Sequence, residues 1–188
     1  DDNLGFAPYV NDGTNWSYYQ SGASGTGDFL EAKGYSVKLA SSGDIAFTGS
    51  MLTDNATIAI TSNTNGFNLV GNPYPSYIAA NNTANATNNI LKVNDIDNDF
   101  LTESTLWFWN ESTDDYDERN HATGAFHIAP GQGFFVSSNG SNTFSITEGM
   151  QSHQTSNYFQ KTATNPNIQL YVSDGVKTKD ADIFYVDG

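Results

Sequence analysis

Gly66-Phe67-Asn68-Leu69-Val70-Gly71-Asn72-Pro73-Tyr74-Pro75-Ser76-Tyr77-Ile78 is the stretch that decides the fold class of this chain. Its first half alternates as a strand does: Phe67, Leu69 and the small Gly71 fall on one face, Asn68 and Val70 on the other. Its second half stops that strand. Pro73 and Pro75 each fix φ, remove a backbone donor and push the preceding residue toward an extended conformation. A strand that runs straight into a rigid turn, with Tyr74 and Tyr77 beside it, leaves no room for a helix.

Working outward, strand-like segments recur at 16–19, 34–39, 44–47, 57–61, 106–109, 126–128, 133–137, 143–147, 168–172 and 182–186, separated by Gly, Asn, Asp and Ser clusters. The best helical candidate, 77–91, is diluted by asparagines and reads mostly as loop. Many short strands joined by polar turns predict an all-β fold, a β-sandwich or a jelly-roll-like arrangement. One internal pattern stands out. Gly34-Tyr35-Ser36-Val37 matches Gly133-Phe134-Phe135-Val136 at an offset of 99, and the same offset pairs Ile45 with Phe144, Phe47 with Ile146 and Met51 with Met150. Such self-similarity suggests a single module over 1–188 with two pseudo-duplicated halves, approximately 8–78 and 100–188. The alternation common to all β-proteins is the competing explanation.

The 188 residues carry seven basic and 21 acidic side chains, a net charge of −14. That balance argues against a nucleic-acid partner and against anionic membrane surfaces. There is no cysteine, hence no disulfide framework and no thiolate chemistry. No run is long and apolar enough to insert in a membrane as a helix. Abundant Asn, Ser, Thr and Gly with scarce Lys and Arg resembles the composition of secreted bacterial surface proteins more than that of cytosolic enzymes. The opening Asp1-Asp2-Asn3 reads as an internal cut or a matured end, and the chain as a fragment of a longer protein.

Three segments together resemble a known family. Gly66–Ser76 is similar to the "NLVGNPYPS" motif of modules in large exported proteins of Bacteroidota. Ile128-Ala129-Pro130-Gly131-Gln132-Gly133-Phe134-Phe135-Val136 is similar to that family's "I-P-P-G-Q-G-F-F-V" block, and Leu106-Trp107-Phe108-Trp109-Asn110 to its tryptophan-x-tryptophan-asparagine strand. Lys33–Val37 and Phe47-Thr48-Gly49 fall where the family has "G-R-G-Y-x-V" and "F-x-G". The resemblance implies a module of type IX secretion substrates, placed upstream of a C-terminal sorting domain that this chain does not contain. It implies the secretion machinery as a partner through that sorting domain, and a secreted or cell-surface location. It transfers no catalytic residue.

The residues themselves offer three kinds of chemistry. Asp95, Asp97 and Asp99 alternate as calcium ligands do on a curled loop, although Phe100 and Leu106 stand where an EF-hand needs Gly and Glu. A structural Ca²⁺ is therefore the one cofactor to consider, against a solvated acidic loop. Asp114, Asp115, Asp117 and Glu118 surround Tyr116, and two carboxylates facing each other across a cleft could hydrolyse a glycoside. A solvated hairpin tip is the stronger reading of that run. His121, His127 and His153 lack metal-ligand spacing. Trp107 and Trp109 lie two apart and share one strand face while Phe108 takes the other. With Tyr116 they form a candidate platform for sugar rings, unless that face is core. The expectation is a non-enzymatic, exported module acting as a structural spacer or adhesion-supporting domain. The alternative is a carbohydrate-binding module that engages cell-surface glycans beside a polysaccharide-degrading enzyme.

Overall fold

The structure, a computed structural model, describes residues 4–10, 15–16, 29–39, 49–63, 65–154, 168–173 and 178–183. Fourteen strands run through them: β1 (Leu4–Val10), β2 (Asn15–Trp16), β3 (Tyr35–Leu39), β4 (Ala56–Ile60), β5 (Phe67–Gly71), β6 (Tyr77–Ala79), β7 (Thr105–Asn110), β8 (Asp115–Asn120), β9 (His127–Ile128), β10 (Gly133–Ser137), β11 (Asn142–Ile146), β12 (Gln151–Ser152), β13 (Ile168–Ser173) and β14 (Thr178–Ile183). The fold is all-β, as the alternation predicts, and its strand pairs are antiparallel. Its main sheet has the order β5-β10-β7-β8, with Phe135 of β10 opposite both Leu69 and Trp107. Smaller sheets are β11-β4, β12-β6-β9, β2-β1-β3 and β13-β14.

The core lies between the inner face of the main sheet and the β4–β11 pair. Val70, Leu106, Phe108, Phe134 and Val136 meet Ile60, Phe144 and Ile146, all buried in one cluster. Aromatic rings thread this layer: Phe126, Phe108, Phe134 and Phe144 follow one another at centroid distances of 4.9, 5.6 and 6.3 Å. In a chain poor in aliphatics, these rings supply the buried apolar area. The lead-in to β3 crosses β5, with Gly34 N–H donating to the Leu69 carbonyl at 3.1 Å and Gly71 N–H to that of Ala32 at 2.8 Å. A Cβ on Gly34 would sit 2.5 Å from Leu69 Cγ and 2.8 Å from the Val70 carbonyl, so only glycine fits that crossing.

Four asparagines, Asn72, Asn81, Asn89 and Asn94, are almost wholly buried, and each spends its amide on backbone. Asn72 ends β5. Its Nδ2 lies 2.8 Å from the Ser76 carbonyl, 3.0 Å from Ala129 and 3.2 Å from Ile128, while its Oδ1 accepts the Tyr74 N–H at 3.0 Å. Tyr74 is 2 % exposed. Its hydroxyl shares one proton between the carbonyls of Asp54 (2.8 Å) and Ile146 (3.0 Å). Tyr74 therefore packs inward, between the turn, the chain ahead of β4 and the end of β11.

Elsewhere the structure corrects the sequence reading. The acidic run after Trp109 only begins at the hairpin tip: residues 111–114, Asp114 among them, make the turn, and Asp115–Asn120 are strand β8. Strand β14 begins at Thr178 and shares only 182–183 with the expected segment, whose remainder, 184–186, lies outside the described residues, as does the expected strand 44–47. The 77–91 segment opens with β6 and then loops. It leads into a single wide turn over Lys92–Ile96, closed by Asp97 N–H donating to the Lys92 carbonyl at 2.9 Å.

Among the described residues β8 is the last strand of its sheet, and its backbone is capped by side chains. Tyr116 N–H donates to the Asp115 carboxylate at 2.7 Å, and the Glu118 carbonyl accepts from the Arg119 guanidinium at 2.9 Å. Thr123 Oγ1 donates to the Asn120 carbonyl at 2.7 Å and accepts the Asn120 N–H at 3.2 Å. Groups that would otherwise pair with another strand are thus occupied.

Candidate ligand-binding face

The outer face of the main sheet carries a second set of aromatic side chains, outside the buried core. Strand β7 decides this by alternation: Leu106 and Phe108 are buried, Trp107 is half-buried and Trp109 is 49 % exposed. Strand β8 places Tyr116 opposite Trp109 and Glu118 opposite Trp107. Tyr116 is 41 % exposed. The sequence candidates Trp107, Trp109 and Tyr116 therefore lie on one face of two paired strands.

Their rings are not coplanar. Trp109 and Tyr116 meet edge-to-face, centroids 5.1 Å apart and planes 69° apart. Tyr116 meets Phe135 at 5.7 Å and 84°, and Trp107 meets Phe67 at 5.2 Å and 78°. Such T-shaped contacts satisfy ring quadrupoles and hold each ring in place. The result is a ridged surface. Phe135 and Phe67 were missed as members of this face. Phe135 was legible, since two consecutive phenylalanines in a strand must point to opposite sides.

The acidic candidates are tied into the frame. Asp95 Oδ2 accepts from Ser104 Oγ, and Asp97 Oδ1 lies 2.7 Å from Lys92 Nζ. Asp99 sits at φ 53°, where its carbonyl accepts from Asn139 Nδ2 at 2.6 Å. Among the described residues, no three His, Asp or Glu side chains gather as a metal site would require. Asp115 caps its own strand, and Asp117 is held by Asn110 at 3.3 Å and Arg119 at 3.5 Å. His127 is buried on β9 with its Nε2 3.3 Å from Gln154 Nε2, and that burial lowers its pKa below the ordinary imidazole value. His121 sits in the turn after β8, and His153 is exposed.

Compared with known proteins, the chain matches no family model, no curated protein and no solved structure. Among the described residues, no helix is long and apolar enough to cross a membrane.

Proposed function

We propose that this chain is a non-catalytic module of a secreted or cell-surface Bacteroidota protein exported by the type IX route, serving as a structural spacer or adhesion-supporting domain. One observation carries the reading: the Asn-Pro-Tyr-Pro turn, the most distinctive segment, turns inward. Asn72 and Tyr74 spend their polar groups on five backbone carbonyls and one backbone N–H of the same molecule. A motif consumed by the frame serves rigidity, and rigidity is what a spacer needs. The origin and the export route rest on the motif resemblance described above. The test places the chain between a reporter and a type IX sorting domain in a Bacteroidota host. Display of intact, protease-resistant reporter at the cell surface is expected; retention, or cleavage within 66–154, would count against it.

A second reading is favoured by the exposure of Trp109 and Tyr116: a carbohydrate-binding module. A purely mechanical spacer gains nothing from presenting two large rings to water. Flat apolar rings next to polar side chains are what the C–H faces and hydroxyls of a sugar require.

A further inference from the structure

We propose that the Trp109–Tyr116 face takes single, soluble chains of neutral polysaccharide, and neither crystalline polysaccharide surfaces nor anionic glycans. The proposal rests on the carbohydrate-binding reading above and adds the class of ligand.

Ring geometry supplies the first half. A crystalline polysaccharide presents a flat array, and binding it needs several rings in one plane. Here successive ring planes turn by 69° from Trp109 to Tyr116 and by 84° from Tyr116 to Phe135. Those rings brace one another at centroid distances of 5.1 and 5.7 Å, so flattening them would break packed contacts. A single flexible chain can instead lay one sugar on the exposed half of Trp109 and bend its next residue around Tyr116.

Charge supplies the second half. The four strands of the main sheet hold only four charged side chains, all on β8: Asp115, Asp117, Glu118 and Arg119. By alternation Glu118 alone shares the face of Tyr116, and it stands directly across from Trp107. Its exposed carboxylate accepts hydrogen bonds from hydroxyl groups and repels the carboxylates or sulfates of acidic glycans. Arg119, the one cation of the sheet, lies on the opposite face, its guanidinium 5.0 Å over the Phe126 ring. A chain of net charge −14 reinforces the selection at longer range.

The test is affinity electrophoresis and calorimetry with mixed-linkage β-glucan, galactomannan and xyloglucan as neutral probes, polygalacturonate as the anionic probe, and microcrystalline cellulose in a pull-down. Binding to at least one neutral soluble polymer is expected, weakened about thirtyfold in Trp109→Ala, the scale of losing a central tryptophan contact. Tyr116→Ala, checked like W109A for an unchanged melting temperature, is the second variant and is expected to weaken binding of the same polymer. Capture by cellulose without binding to any soluble probe would overturn the single-chain inference while leaving the carbohydrate reading standing. Equal or tighter binding of polygalacturonate would overturn the charge argument. Binding indifferent to both substitutions would remove the site. Silence across the whole panel would remove the inference and the carbohydrate reading together.

Discussion

The side chain of Asn94 pairs with the backbone of Ser145 as a strand residue would: its Nδ2 donates to the Ser145 carbonyl at 2.8 Å and its Oδ1 accepts the Ser145 N–H at 2.7 Å. Asn68 does the same to Thr61, at 2.9 and 3.0 Å. Each carboxamide extends a ladder by one rung where the chain itself has turned away. Through Asn94 the 92–96 turn is fastened to β11, and through Asn68 the main sheet is fastened to the end of β4. Asn94→Ala leaves the two Ser145 groups and the Ile90 carbonyl without their partner. It is expected to cost about 2–3 kcal/mol of unfolding free energy, read as a lower urea midpoint at unchanged m-value. A loss below about 0.5 kcal/mol, the range of ordinary surface changes, would refute the role.

Tyr74 gives a second measurement, at alkaline pH. Burial raises its pKa above the ordinary phenol value of 10.0, reinforced by the nearby negative charges of Glu148, Asp54 and Glu31 and opposed by a backbone hydrogen bond. The folded state thus holds its proton after the unfolded state has lost one. Stability from this group is intact below pH 10 and falls as pH rises past it. Tyr74→Phe removes that dependence and one hydrogen bond, for about 1 kcal/mol at pH 7. Its stability curve above pH 10 is expected to be flatter than that of the parent; parallel curves would contradict the assignment.

His127 sets the acid side. Burial lowers its pKa, so the unfolded chain takes up the proton first as pH falls below 6.5. The contribution is complete above pH 6.5 and lost below it. In His127→Gln the decline in melting temperature between pH 6.5 and 5 is expected to be shallower. An identical decline would assign the acid sensitivity to other groups.

The capped edge of β8 is testable through association. Asp115→Ala combined with Arg119→Ala removes the side-chain caps from the Tyr116 N–H and the Glu118 carbonyl, groups that an edge strand offers to another strand. Sedimentation velocity is expected to show greater self-association in the double variant than in the parent. No change at high concentration would mean that the caps do not guard the edge.

How much of this was readable beforehand depended on whether a pattern or a partner made the structure. Strands Phe67–Gly71 and Gly133–Ser137 have the bounds that their alternation implies, because buried and exposed faces impose a period of two. The alternation Leu106-Trp107-Phe108-Trp109 separated two faces but could not say which one faced the core; that is settled by β4 and β11, which lie far away in the chain. Asp115–Asn120 has poor intrinsic strand propensity and extends only because β7 pairs along its whole length. The buried asparagines were the least legible. An amide is polar in any sequence, and only the folded backbone reveals the carbonyls it satisfies.

Asn72 is also protected from chemical ageing. An asparagine loses its amide when the next residue's backbone nitrogen attacks the side-chain carbonyl and expels ammonia. The residue after Asn72 is Pro73, whose nitrogen carries no hydrogen and cannot make that attack. The amide on which the turn depends is thereby kept from becoming a carboxylate, which could donate to none of the three carbonyls it now holds. After weeks at pH 8, peptide mapping is expected to find the mass gain of deamidation at exposed Asn139-Gly140 and none at Asn72; early conversion at Asn72 would refute the idea. The proline that rigidifies the turn then also sets its chemical lifetime.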